Sequence, residues 1–421
     1  MHMPAPGAAG HNGAMRDSAD FILPGIPNLH SHAFQRAMAG LAEHRTHPQD
    51  SFWTWRELMY RFAARMDPDS TYAVAAQLYA EMLEAGYTTV CEFHYVHHQP
   101  DGRPYADPAA MSRALVAAAR DTGIRLALLP VLYMSGGFAG EPLSPRQQRF
   151  GHDVDGFLRL LDMLRPLQDD MLRIGCAFHS LRAVPEEAMQ RVLQALPDDA
   201  PVHLHIAEQV PEVEASLAVR GERPVQWLLR RFPVDARWTL VHATHLDADE
   251  VRGIAASRAT VAICPTTEAN LGDGLFPLRD YLEAGGRWGI GSDSHVSVSP
   301  VEELRWLEYG QRLARLRRNV VASADEPRVG RALLAGVAAS AAGATGFADT
   351  CGDVLALDAD AAQLAGASAE DLAERWLFAG NRTLVRETRV AGRTPVVAGR
   401  HVDGPAIAAR YRATLARLLQ D

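Results

Sequence analysis

The sequence predicts an α/β protein built on a closed, TIM-like (β/α)8 barrel, followed by a small β domain. Three observations lead there. Eight short apolar, β-branched runs alternate with longer amphipathic stretches. The chain has 421 residues, 48% of them hydrophobic, enough to bury one large core. Imidazoles and carboxylates gather at the carboxyl ends of the apolar runs, where a barrel builds its active site. Eight strands favour closure, although counting alone does not separate a barrel from a doubly wound open sheet.

The elements follow in order. The first strand is expected over 21–30 (FILPGIPNLH) and the second over 88–95 (TTVCEFHY), joined by a helical pattern at 53–85. Strands at 124–132, 172–179, 202–207 and 239–245 come next, separated by helical patterns at 107–122, 153–167, 185–196 and 211–231. Strands at 260–264 and 287–292 complete the eight, with helices at 247–257, 276–285 and 300–318. The tail changes character: 351–358, 374–379, 382–390 and 394–399 read as short strands before a helix at 403–419. The expected division is therefore an atypical or disordered segment at 1–20, a barrel at 21–346, a small β domain at 347–402 and a final helix at 403–421.

Composition narrows the function. A formal net charge of -9 argues against nucleic acid or an anionic membrane surface as partner. No apolar run reaches the roughly 18–20 residues that span a bilayer, and residues 1–20 lack a signal-peptide core. Cys91, Cys176, Cys264 and Cys351 are far apart, so reduced thiols and a cytoplasmic setting are expected. The chain contains no lysine at all. That excludes Schiff-base chemistry, a Walker-type phosphate loop and a lysine carbamate bridging two metals.

The strand ends carry the chemistry. His30-Ser-His32 closes the first strand, and its spacing points both imidazoles to one side. Glu92, His94 and Tyr95 end the second strand, and His179 with Arg182 the fourth. His203 and His205, followed by Glu208, end the fifth; His242 ends the sixth and Asp293 the eighth. Zinc takes neutral imidazoles and carboxylates, and a catalytic site keeps a position for water. His30, His32, His205 and Asp293 can converge across a barrel and, with one hydroxide, balance a divalent charge.

"PNLHSH", "HLHIAE", "LVHATHL" and "GIGSDS", in this order, resemble the metal and proton-transfer signatures of the amidohydrolase superfamily. The resemblance implies one divalent cation, zinc, held by His30, His32, His205 and Asp293, with Glu208 and His242 as proton-transfer and polarising residues. The same donors also accept iron or manganese. Longer strings, "NLHSHAFQRAMAGLAE", "FWTWRELMYRF", "EFHYVHH", "CPTTEANLGDG" and "GSDSHVSVSPVEELRWLEYGQRL", are similar to the formimidoylglutamate deiminase family of bacterial histidine degradation. That likeness covers nearly the whole chain from about residue 22 and implies a homodimer acting on N-formimidoyl-L-glutamate. Water would replace the imino nitrogen, giving N-formyl-L-glutamate and ammonia, with Asp293 taking the water's proton and Glu208 protonating the leaving nitrogen. It further implies that Gln35, Arg56, Tyr95, His179 and Arg182 recognise the substrate. Arginine suits the two carboxylates because its planar fork donates paired hydrogen bonds. Relatives begin with a longer amino-terminal segment, so the small β-sandwich domain is expected to be shortened there.

Other polar residues read as structural. His94, His97 and His98 are expected in a hydrated loop, Arg36 as a structural residue, His203 as a packed neighbour of His205, and His245, Thr244 and His295 as orienting groups. Cys176 and Cys264 read as small core residues, and "LARLRRN" as a solvated helix face. Two rival functions stand beside the deiminase. One is an aminohydrolase of purine, pyrimidine or triazine rings, which needs aromatic walls rather than paired arginines. The other is a metal-dependent binding protein without turnover.

Overall fold

The structure, a computed structural model, describes residues 21–44 and 52–420. The expectation for residues 1–20 lies outside the described residues. Eight parallel strand positions form the barrel: β2 (Ile26–Ser31), β3 (Tyr87–His94), β4 (Arg125–Leu132), β5 with β6 (Leu172–Ile174, Cys176–Ser180), β7 (Val202–Ile206), β8 (Trp238–His242), β9 (Thr260–Ile263) and β10 (Arg287–Ile290). Hydrogen-bonded ladders run from β10 through β9, β8, β7, β6, β4 and β3 to β2. Nearly every residue of these strands is buried, as expected for parallel strands covered on both faces.

The seam between β10 and β2 closes differently. Asp293 N–H donates to His30 O at 3.0 Å, and His32 N–H donates to Asp293 O at 3.2 Å. Asn28 adds side-chain bonds to Ser292, donating to its Oγ at 2.6 Å and accepting from its N–H at 3.1 Å. A Cβ on Gly291 would sit 2.7 Å from His30 Cβ and 2.9 Å from its nitrogen, so only glycine lets the two strands approach this closely. The peptide that closes the barrel thus carries the residues expected to bind metal.

Several sequence expectations change. The helix at 53–85 is two helices, α1 (Phe52–Ala63) and α2 (Pro68–Ala85), because Asp67 caps α2 through a capping box with Ser70 and Pro68 opens it. The helix at 211–231 is likewise α6 (Val210–Arg220) and α7 (Pro224–Arg231), broken by left-handed Gly221 and Pro224. Residues 374–379 are not a strand: 374–378 lie in helix α13 (Leu372–Phe378), whose buried Leu372, Ala373, Trp376 and Leu377 repeat with helical spacing, and Ala379 caps it. Helices α9 (Pro265–Leu271) and α12 (Val329–Thr345) were not expected. The first strand also divides at Gly25: residues before it form β1 (Ile22–Pro24). A Cβ there would come within 2.3 Å of Thr88 Oγ1.

β1 leaves the barrel and pairs antiparallel with β11 (Val354–Leu357). With β12 (Val385–Val390), β13 (Arg393–Val397) and β14 (Arg400–His401) they form a five-stranded antiparallel sheet. A buried ion pair ties it to the barrel: Asp353 receives Arg125 Nε at 2.6 Å and Arg125 Nη2 at 3.1 Å. Asp353 also accepts from Ala391 N–H at 2.9 Å. Removing one partner of such a pair strands the other charge in a dry interior. Asp353→Ala should therefore lower the free energy of unfolding by about 3–5 kcal/mol in urea titration. A double change to Arg125→Met and Asp353→Leu should recover most of the loss; an Asp353→Ala cost below about 1 kcal/mol would show that the pair does not hold sheet to barrel.

Candidate functional site

His30, His32, His205 and Asp293 meet at the carboxyl mouth of the barrel. His30 Nε2 is central, 3.1 Å from His32 Nε2, 3.0 Å from His205 Nε2 and 3.3 Å from Asp293 Oδ1. His32 Nε2 lies 3.4 Å from the same Asp293 oxygen. Ligands of tetrahedral zinc with bonds of about 2.0–2.1 Å stand about 3.3 Å apart. Tautomers explain why these contacts need a cation. His32 Nδ1–H is committed to Phe93 O at 2.8 Å, and His205 Nδ1–H to His179 O at 2.9 Å. Both rings therefore turn lone pairs toward His30. A proton on His30 Nε2 relieves one of its two imidazole contacts and leaves the other as lone pair against lone pair. A divalent cation relieves both. Burial, with neighbouring imidazoles, also drives the pKa values of His30 and His205 well below ordinary, so protons do not fill the gap at neutral pH.

Ser31, between the two histidines, is braced from β3. Its hydroxyl donates to Glu92 Oε2 at 2.6 Å, and Ala33 N–H donates to Glu92 Oε1 at 2.7 Å. Burial pushes the Glu92 carboxyl up to about 7, against the pull of these hydrogen bonds.

Beside the donor set lie Glu208 and His242. His242 Nε2 is 3.7 Å from Glu208 Oε1 and 3.8 Å from Asp293 Oδ2. Burial pushes the Glu208 carboxyl up to about 7, with Asp293, Glu212 and Glu268 reinforcing and His242 opposing. Burial disfavours the charged form of His242, yet Glu208, Cys264 and Glu268 together raise its pKa well above the usual value. The backbone is strained here. Ala207, His242, Ala243, Asp293 and His295 all have positive φ without being glycine. Such conformations cost of order 1–3 kcal/mol each and persist where surrounding structure enforces them.

All the expected substrate-recognition residues open into the same cavity. A space of about 230 Å³ is lined by Gln35, Arg56, Tyr95, His179, Arg182, Glu208, His242 and Asp293. Gln35 Nε2 donates to Tyr95 Oη at 3.0 Å, leaving Gln35 Oε1 buried without a partner. Arg56 lies over the Tyr60 ring, 5.1 Å from its centroid. His179 packs edge-on against Tyr133 and is held well below its ordinary pKa by burial, then by Arg182, His32 and Arg56. Arg36 lies outside the cavity lining and pairs with Glu81 at 2.7 Å, a structural role as expected.

Some residues differ from expectation or escaped it. His94, His97 and His98 are not in a hydrated loop; all three are buried. His97 Nε2 donates to Val131 O at 2.9 Å and His98 Nε2 to Gly151 O at 2.7 Å, with His152 packed against both rings. Glu268, on α9, was missed. Its Oε1 lies 3.2 Å from His242 Nδ1 and accepts from Cys264 N–H at 2.9 Å, so it fixes which nitrogen of His242 faces the cavity. Asp273, on the turn after α9, was missed too. It receives Gln209 Nε2, and burial with the nearby carboxylates pushes it up to about 9, making it a neutral acid. Neither belongs to a recognisable spacing; "CPTTEANLGDG" signals them only as a string.

The profile of the amidohydrolase family matches residues 21–354. The chain belongs to the amidohydrolase family. This amidohydrolase is 53% identical to formimidoylglutamate deiminase of Pseudomonas aeruginosa, over 94% of this chain and 89% of the relative. It is 25% identical to 5-methylthioadenosine/S-adenosylhomocysteine deaminase of Haloarcula marismortui, over 91% and 83% of the two chains. A crystal structure of an amidohydrolase from Brucella melitensis superposes with a TM-score of 0.91 at 44% identity, covering 95% of this chain and 90% of that one.

Because the seam carries His30 and Asp293, crowding it should spread the donors. Gly291→Ala should weaken zinc binding about 10- to 100-fold, the usual cost of disturbing the groups behind metal ligands. Competition with a chromogenic chelator measures this; unchanged affinity would show that donor placement does not depend on the close approach at Gly291.

Proposed function

We propose that this amidohydrolase hydrolyses the formimidoyl group of N-formimidoyl-L-glutamate to N-formyl-L-glutamate and ammonia. One observation carries the reading: a single cavity is lined by Glu208 and His242, by the metal donors His32, His205 and Asp293, and by Arg56 and Arg182. The substrate has matching ends, a protonated amidine and two carboxylates. Aromatic rings also line the cavity, including Tyr60, Tyr95, Tyr133 and Phe150, as a ring aminohydrolase would want. A neutral purine, however, offers ring acceptors but no negative charge to two guanidinium groups, whereas two carboxylates match them in charge and in paired geometry. The likeness at 53% identity to a protein named formimidoylglutamate deiminase supports the same substrate.

The donor set of three imidazoles and a carboxylate suits zinc, held by His30, His32, His205 and Asp293. When bound, such a cation supplies an activated water near neutral pH. The side chains then divide the work. Arg56 and Arg182 anchor the carboxylates, with Gln35, Tyr95 and neutral His179 fixing the chain between. Asp293 Oδ2, facing His242 Nε2, receives the proton lost as the water oxygen bonds to the formimidoyl carbon. Glu208 delivers its proton to the nitrogen that departs as ammonia. His242, held by Glu268, stabilises the charge that develops between them. We place the enzyme in the cytoplasm, where its unpaired cysteines stay reduced. We infer a homodimer from the family resemblance set out above.

Ammonia release from N-formimidoyl-L-glutamate and from guanine, by zinc-loaded protein, tests the substrate. Turnover of the first alone is expected; turnover of guanine alone would overturn the reading. Glu208→Gln should retain zinc and lose at least about 10²-fold in kcat, because Gln has no proton to deliver. In the wild type, kcat/KM should fall as pH rises through about 7 and Glu208 loses its proton; the residual activity of Glu208→Gln should lack that limb. Arg182→Met should lower kcat/KM about 10- to 150-fold, the loss of one charge-assisted contact worth about 1.5–3 kcal/mol. Unchanged kcat/KM would remove Arg182 from carboxylate recognition.

A further inference from the structure

We propose that His242, Cys264 and Glu268 form a second metal site behind the catalytic cavity, where surplus thiophilic cation, such as zinc, switches the enzyme off. One donor atom from each lies within 4.8 Å of the other two, and all three side chains are buried. Glu268 Oε1 already stands 3.2 Å from His242 Nδ1. That matches the about 3.3 Å between nitrogen and oxygen ligands of tetrahedral zinc. Thiolate, imidazole and carboxylate are the ligand types zinc takes, and the thiolate discriminates against magnesium and calcium. The set of His30, His32, His205 and Asp293 contains no sulfur, so the two sites differ in chemistry as well as place. Three neighbouring elements supply the donors: His242 ends β8, Cys264 follows β9, and Glu268 lies one turn into α9.

The consequence follows from proton accounting. With Glu268 on Nδ1, that nitrogen is the one His242 offers to this site. Binding releases the Cys264 thiol proton and the Nδ1 proton, and the cation takes their places; no electron moves. The ring keeps a proton only on Nε2, which faces Glu208 and Asp293. A ring metallated on one nitrogen and protonated on the other donates but cannot accept, and it no longer answers to Glu268. Inhibition therefore rests on the role proposed above for His242, whereas binding does not. His242 lines the cavity while Cys264 and Glu268 do not, so the cation passes the imidazole to reach them and inhibition should develop slowly.

Cobalt separates the two claims, because only this second site gives it a thiolate ligand. Metal-free full-length protein is titrated with Co2+ while thiolate-to-cobalt charge-transfer absorption and ammonia release are followed together. The first equivalent should restore turnover without the thiolate band. The second should bring the band and slow turnover by about 10²-fold, the contribution of one positioned proton-transfer group. Cys264→Ala, or Cys264→Ser should the first fold poorly, should keep first-equivalent activity and show neither band nor slowing. Cys351→Ala, which removes the exposed thiol, should behave as the wild type. No band beyond the first equivalent, or a band that survives loss of Cys264, overturns the site. A band with undiminished turnover overturns the inhibition. The band reads out binding whatever substrate the enzyme takes, so an error in the substrate leaves that result standing.

Discussion

The backbone of Asp293 both closes the barrel and sets the metal donors. Its N–H and C=O bond to His30 and His32, so the last strand joins the first through the residues whose side chains converge. The two bonds make a single parallel bridge between Ser31 and Asp293 in place of a longer run of pairs. The close approach depends on Gly291 and on Asn28 stitching the seam. Beside the seam, His30 Nε2 stands 3.0–3.1 Å from the lone-pair nitrogens of His205 and His32. A cation turns that repulsion into cohesion, so metal binding and closure of the barrel draw on the same free energy.

Strain and charge are arranged around that point. Five left-handed non-glycine residues stand at the ends of β7, β8 and β10 or just past them, where they turn Glu208, His242 and Asp293 toward the cavity. Glu208 and Asp293 line the cavity with His242, Arg56 and Arg182, and the carboxylates of Glu268 and Asp273 stand close behind. An interior cannot hold four bare carboxylates. Protonation near neutrality of Glu208 and Asp273, together with the His242–Glu268 pair, resolves the crowding and leaves a proton where a leaving nitrogen needs one.

Much of this was legible in the chain. The His-x-His at 30–32 needs only strand alternation to be read, and the remaining donors fall at predicted strand ends. The cavity gathers Gln35, Arg56, Tyr95, His179 and Arg182 from the carboxyl ends of three strands and the segments that follow them, which sequence reached through family likeness rather than spacing. What escaped depends on contacts between elements. Glu268 is invisible until a seven-residue helix swings it under His242. Arg149 donates to His98 O, and with the packed rings it buries histidines that look like a wet loop. Residues 374–379 read as a strand because Trp and Phe suit one, while burial at Leu372, Ala373, Trp376 and Leu377 made a helix. Strand β1 joins the smaller sheet across Gly25, a crossing that no local pattern announces.

The most direct test is the zinc-edge anomalous diffraction of crystals grown with one equivalent of zinc. The result expected is a single peak with His30 Nε2, His32 Nε2, His205 Nε2 and an Asp293 oxygen each at about 2.0–2.2 Å. A peak bound elsewhere, or one that leaves Asp293 or either of His30 and His32 uncoordinated, would contradict a metal centre built on the barrel seam.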